Sequence, residues 1–219
     1  MNGWKCDPLV ASVARSEALG QLVTALMGWE SGARLAQDDV LWKPPLAGPV
    51  GWHTDAAYIS NQFTPSRDVG ATVWIALDDA DETTGVVEYA AGSHLWRVRG
   101  DLAGSAATSS FHGGSHEDYQ RAVHDFARAA GIADFGITRL AVERGSCIIH
   151  HQDTWHGSAP NRSSSIHRRA LGVHLIDAAV RWRSSPPPDY IYGRYVLTGE
   201  DVPRDEFFPI VYRAARPKV

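Results

Sequence analysis

The chain has 219 residues, 44% hydrophobic and 21% charged, an ordinary globular composition long enough to bury one substantial core. A formal net charge of -4 excludes a general nucleic-acid binder, which needs a basic face to neutralise phosphates, and no stretch is long and apolar enough to cross a bilayer. Cys6 and Cys147 are the only cysteines, which excludes a disulfide scaffold and a Cys-rich zinc site. Met1 to Pro8 shows no basic segment followed by an apolar run, so a signal peptide is not expected and the cytoplasm is the expected compartment.

Asp7-Pro8 predicts a helix start, with a capping carboxylate followed by proline at the first helical position. A second helix begins at Ser16, carries Leu19, Leu22, Val23 and Leu26 as an apolar stripe facing the core, and stops at Gly28. From Leu35 the texture turns to short extended segments. Val40-Leu41-Trp42 runs into Lys43-Pro44-Pro45, Gly51 to Asp55 leads into Tyr58-Ile59, and Ala71 to Leu77 reads as a buried strand. An acidic turn over 78–85 precedes Val86 to Tyr89. Residues 100–116 are rich in Gly, Ser, Ala and His, and Glu117 to Ala130 reads as a helix. Strands resume at Ile137 to Val142, Cys147 to His151 and Arg169 to Ile176, and Pro186-Pro187-Pro188 breaks the chain before a Tyr-rich tail. Many short strands behind two short helices predict a mainly β barrel or sandwich. One domain over 1–219 is expected, with 100–135 as a lid-like insertion.

The chemistry concentrates at His53-Thr54-Asp55. On a strand, positions 53 and 55 project to the same side, so an imidazole and a carboxylate share one face. Such a pair recurs by chance in many chains, but here Trp155-His156-Gly157-Ser158 follows an apolar run about a hundred residues later. Two histidines and one carboxylate leave coordination positions open, which suits a non-haem Fe(II) centre that binds a cosubstrate and O2. Arg168 lies on the same strand face as Ala170 and Gly172. A guanidinium beside two very small residues leaves room for an anion, and its planar fork matches a carboxylate. The bland reading of Arg168 is an ion pair with a local acid, and Arg169 reads as its solvated neighbour.

These stretches, with Lys43-Pro44-Pro45, Val73 to Leu77 and Gly92-Ser93-His94, occur in the order of the phytanoyl-CoA dioxygenase family of Fe(II)/2-oxoglutarate oxygenases, which the chain resembles over residues 35–176. The resemblance implies a double-stranded β-helix (jelly-roll, cupin-like) barrel with flanking helices. It implies Fe(II) held by His53, Asp55 and His156, and the distal carboxylate of 2-oxoglutarate paired with Arg168. Ser158 and Trp74 would line that pocket, and Gln37 matches a position facing the cosubstrate or a metal-bound water. Arg168 lies twelve residues after His156, where eleven is commoner in the family, so Arg169 stays open as the alternative. Asp55 is a true carboxylate, unlike the small residue found there in halogenating relatives.

Glu88, Tyr58, Phe63 and His112 are expected near the substrate, His94 as a turn-capping group, and His150 and His151 as packing or supporting groups. His116 reads as a solvated loop residue. The resemblance runs to small bacterial enzymes that tailor natural products, so a small-molecule substrate such as a sugar or aminoglycoside-type compound is expected, oxidised by hydroxylation or ring closure. Three rival readings remain: a cupin-like metalloenzyme that does not use 2-oxoglutarate, a metal hydrolase, disfavoured because no second H-x-H or bridging-carboxylate cluster accompanies His53 and Asp55, and a non-catalytic jelly-roll binding module.

Overall fold

The computed structural model describes residues 2–96, 114–184, 191–197 and 199–215. His112 and residues 100–113 of the expected lid-like segment lie outside the described residues, as does the Pro186-Pro187-Pro188 break. Two helices lead the chain, α1 (Pro8–Ala14) and α2 (Glu17–Met27). All three caps are those the sequence predicts: Asp7 accepts from the amides of Leu9 and Val10, Ser16 accepts from Leu19, and Gly28 closes α2 at φ 68. There follow β1 (Ala33–Lys43), β2 (Val50–His53), α3 (Ala56–Ile59), β3 (Phe63–Thr64), β4 (Gly70–Ala76), β5 (Val87–Ala90) and α4 (His116–Ala129). The chain continues through β6 (Ile137–Leu140), β7 (Cys147–His151), β8 (His156–Ser158), β9 (Arg168–Asp177), β10 (Arg181–Trp182) and β11 (Ile210–Tyr212).

The strands form two main antiparallel sheets, one in the order β11-β1-β9-β4-β7 and one in the order β2-β8-β5-β6, with β10 and β3 as a separate pair. The outer face of the five-stranded sheet carries Leu35, Ala71, Val73, Leu171, Val173 and Leu175, buried against the N-terminal helices. Because strand side chains alternate, the intervening positions of the same strands turn inward. The register sets them in rows. Gln37, His174, Thr72 and His150 stand side by side across β1, β9, β4 and β7; Asp39, Gly172 and Trp74 form a second row, and Lys43 stands opposite Arg168. This inner face is polar around Gln37, Thr72 and His174 and open at Gly172, where it encloses a site, while Trp74, Ala76 and Ala170 pack with Val87 and Tyr89 of β5.

The stripe expected on α2 is rotated from its predicted position. Val23, Thr24 and Gly20 are buried, while Leu22 and Leu26 are 45% and 63% exposed. The reason is a close approach at Gly20, where an added Cβ would sit 2.8 Å from Tyr212 and 2.9 Å from Val211. The C-terminal strand β11 lies against this face, and Leu22 and Leu26 fall outside the contact. Helix α4 covers the other end of the molecule, packing Tyr119 and Val123 with Trp52 and Trp155. Among the described residues no helix is long and apolar enough to cross a membrane.

Candidate metal and anion centre

His53 and His156 face each other across β2 and β8 in register, with ring centroids 4.2 Å apart. Nδ1 of His53 lies 2.7 Å from the Gly51 carbonyl and Nδ1 of His156 lies 2.9 Å from the Thr154 carbonyl. A carbonyl only accepts, so both Nδ1 atoms donate and both Nε2 atoms carry the lone pair. Burial, with His156 adding repulsion, lowers His53 to about 3, and burial with His150 lowers His156 to about 4, which keeps both rings neutral and able to ligate.

Asp55 reaches the same point by a different route from the one expected. Strand β2 stops at His53, and Asp55 has helical angles, φ -71 and ψ -18, as the residue that leads into α3. Its carbonyl accepts from the amides of Tyr58 and Ile59, so the chain turns helical there. The carboxylate still arrives beside the histidines: Oδ1 is 3.9 Å from Nε2 of His156, and the ligand atoms of His53, Asp55 and His156 lie within 4.8 Å of one another. Burial alone would raise the Asp55 carboxyl, but His156 and the hydrogen bond from His150 outweigh it and hold the group ionised, well below the usual carboxylate range. Two neutral imidazoles and one carboxylate oxygen could hold a divalent first-row metal with positions left open for small ligands.

The second element of the site is cationic. Arg168 and Lys43 are both about 95% buried, at 4% and 5% exposure, and stand opposite each other across β9 and β1. Lys43 Nζ donates to Ser158 Oγ at 2.7 Å and to the Ala159 carbonyl. The Arg168 guanidinium lies 5.3 Å above the Trp74 ring, and its Nε is buried with no hydrogen-bond partner among the described residues. Burial lowers Arg168 to about 10; burial and the neighbouring Arg168 lower Lys43 to about 7 against the smaller pull of Glu88. An orphaned guanidinium nitrogen and two buried cations side by side form a cradle for a carboxylate. Arg169, in contrast, is on the outer face in a two-pronged pair with Asp78.

Both elements open into one cavity of about 910 Å³. His53, Asp55, His156, Gln37, Trp74 and Tyr58 line it, together with Ser158, Lys43 and Arg168. Phe63 does not: it is fully buried in an aromatic cluster, stacked on Trp182 at 4.8 Å. Glu88 is also fully buried and is held by Arg139 at 2.9 Å and by His116 at 2.7 Å, a pair that ties the start of α4 to β5. His116 is thus a hydrogen-bond partner of Glu88 at the start of α4 rather than a solvated loop group. The His94 ring lies tilted against that of His151, with centroids 5.4 Å apart. A second cluster, Asp68, His151 and Asp153, is closed on itself. The Asp153 amide donates to His151 Nδ1 and Nε2 faces Asp68 at 3.1 Å, leaving the ring no lone pair for a metal.

Sequence reasoning missed Lys43 as a cavity group. Its signal was present: a lysine ends a strand that pairs with the strand carrying Arg168. The positions of Thr72 and His174, which touch Asp55 and each other, were also missed, because their neighbours are set by register across three strands.

Comparison with known proteins places this geometry. The carbocyclase SnoK of nogalamycin biosynthesis, described as non-haem and alpha ketoglutarate dependent, superposes with a TM-score of 0.69 at 24% identity over 94% of this chain and 72% of its own. The epimerase SnoN, solved with Fe3+, alpha ketoglutarate and nogalamycin RO, gives 0.67 at 21% identity over 94% and 74%. These likenesses establish the jelly-roll fold. In sequence, the chain is 30% identical over 77% of its length to a Stutzerimonas stutzeri protein named "Probable alpha-ketoglutarate-dependent hypophosphite dioxygenase". It is 28% identical over 79% to the mouse phytanoyl-CoA dioxygenase domain-containing protein 1 (Mus musculus). It spans 54% of the length of each. Residues 5–170 match the phytanoyl-CoA dioxygenase family as a whole, and the chain belongs to that family.

Proposed function

We propose that this chain is an Fe(II)- and 2-oxoglutarate-dependent oxygenase that oxidises a C–H bond of a small molecule, with release of succinate and CO2. The observation that carries the reading is the pairing, in one cavity, of the His53, Asp55 and His156 cluster with buried Lys43 and with Arg168, whose Nε has no hydrogen-bond partner among the described residues. Bound Fe(II) with 2-oxoglutarate and O2 supplies the oxidising chemistry. The protein's own part is positional. His53, Asp55 and His156 hold the metal on one side, Arg168 and Lys43 fix the distal carboxylate, Trp74 walls the cosubstrate, and Gly172 leaves room between them.

The rest of the cavity supports a neutral, ring-bearing substrate. Its rim is apolar, formed by Leu41, Pro44 and Pro49. Lys43 and Arg168 are the only lysine and arginine among the described lining residues, so an anionic substrate would compete with the cosubstrate. A volume of about 910 Å³ lies at the upper end of the range for drug-sized ligands. Together with SnoK and SnoN as structural neighbours, this favours tailoring of a natural product, a sugar-bearing compound included, by hydroxylation or oxidative ring closure. Aerobic incubation with Fe(II) and 2-oxoglutarate is expected to yield metal-dependent succinate, accelerated by members of a panel of neutral glycosides and polycyclic compounds. Absence of any Fe(II)-dependent succinate would overturn the proposal.

A pH dependence follows from Lys43. At about 7 it is half charged in the free protein near neutral pH, and an arriving dicarboxylate favours the charged form. Protonated Lys43 binds and neutral Lys43 does not, so affinity for 2-oxoglutarate is full below about pH 7 and falls above it, by up to about tenfold per pH unit. Calorimetric titration of the Mn(II)-loaded protein at several pH values measures the slope. Lys43→Arg, which stays charged, is expected to flatten it.

A further inference from the structure

The carboxylate of Asp55 has two oxygens, and the protein treats them differently. Oδ2 accepts from Thr72 Oγ1 at 2.5 Å and lies 3.1 Å from His150 Nε2, while Oδ1 is the oxygen directed at His156. Counting protons fixes the direction of each bond. The Thr72 hydroxyl has one hydrogen and gives it to Asp55, so at its 2.9 Å contact with His174 it accepts, and His174 Nδ1 is the donor. His150 Nε2 faces a carboxylate and donates; its Nδ1 then accepts from the Tyr89 hydroxyl, 3.1 Å away. Both arms therefore end in donors on one oxygen.

Register places these arms. Thr72 pairs with His150 on one side and His174 on the other, and His174 pairs with Gln37 in turn. From His174 the arm continues to Asp39, whose Oδ2 is 3.4 Å from Nε2 and accepts from Gln37 Nε2 at 2.8 Å. Four adjacent strands thus deliver one row of polar side chains to the oxygen that faces away from His156. A row of this kind would be costly to bury without a purpose, since each polar group needs its partner in place.

We infer that Thr72, held by His174, is a positioning residue that occupies Oδ2 of Asp55 and restricts it to ligating a metal through Oδ1 alone. The inference rests on the oxygenase reading and deepens it, because a one-oxygen carboxylate preserves the coordination positions that the cosubstrate and O2 require. With Oδ2 released, both oxygens would turn to the metal and one of those positions would close.

Co(II) is the probe, since its visible bands report coordination number without turnover. Thr72→Val, isosteric but without the hydroxyl, is expected to lower Co(II) affinity about 10- to 100-fold, the usual effect of losing a group that orients a ligand. Its visible bands should shift as a second carboxylate oxygen takes a position otherwise open to solvent. Thr72→Ser restores the donor and should restore both affinity and spectrum. His174→Asn, which keeps a donor where Nδ1 stood, should stay near wild type, whereas His174→Leu should follow Thr72→Val. Thermal unfolding without metal separates a loss of fold from a loss of positioning, and the serine and asparagine variants carry the test should valine fail to fold. Wild-type affinity and spectrum in Thr72→Val would overturn the inference and leave the oxygenase reading intact. A wild-type protein that binds neither Co(II) nor Fe(II) would remove both.

Discussion

Arg168→Ala is expected to weaken 2-oxoglutarate binding about 30- to 4,000-fold, the equivalent of the roughly 2–5 kcal/mol lost on truncating one member of a buried charge pair. The guanidinium is 4% exposed, sits over Trp74, and keeps a buried Nε with no partner among the described residues. Only an incoming acceptor completes it. Arg168 touches none of the three ligand residues, so metal affinity in the absence of 2-oxoglutarate is expected to stay at the wild-type value. Arg169→Ala should leave cosubstrate binding unchanged, because that side chain is bound to Asp78 on the outer face. Calorimetry with Mn(II) in place of iron separates the two affinities. Undiminished 2-oxoglutarate binding in Arg168→Ala would favour a metalloenzyme that reads its cosubstrate elsewhere or not at all.

Asp55→Ala is expected to remove both a metal ligand and the centre of a buried hydrogen-bond network. Metal affinity should fall by more than the roughly 10- to 100-fold typical of a group that merely orients a ligand. The fold should also lose about 3–5 kcal/mol, as when one partner of a buried ionic cluster is deleted, because Thr72 and His150 are left facing no acceptor. Metal titration and urea unfolding measure the two effects independently. A variant that binds metal as tightly as wild type would show that the His53 and His156 pair, with some other donor, forms the centre.

Much of this arrangement was legible in the chain itself. Asp7-Pro8, Ser16 and Gly28 mark the helix ends because capping is local chemistry, and His53-x-Asp55 stands out because its spacing is local too, whereas His156 reaches it only through the pairing of β2 with β8. The manner of convergence was less legible. Asp55 sits in a helical turn, so the rule of alternating faces named a pair that the protein brings together through a different geometry. Non-local pairings were the least accessible. That Lys43 stands opposite Arg168, or that Gln37, His174, Thr72 and His150 form one row, depends on the register of β1, β9, β4 and β7, including a bulge between Leu35 and Gln37. Leu22 and Leu26 show the same limit. Helical periodicity locates an apolar stripe, but the strand that lies against it decides which edge is covered. Phe63 shares its chain neighbourhood with Tyr58, yet Trp182, Tyr192 and Phe208 draw it into a separate core.

The claim that joins these observations is that one face of His53, Asp55 and His156 holds iron beside a cosubstrate fixed by Arg168. Anaerobic addition of Fe(II) and then 2-oxoglutarate tests it most directly, through the weak visible charge-transfer band of the iron–2-oxoglutarate chelate. The expected result is a band that saturates at one equivalent of each per chain and is lost in His156→Ala. No band in the wild type, or an undiminished band in His156→Ala, would contradict the account.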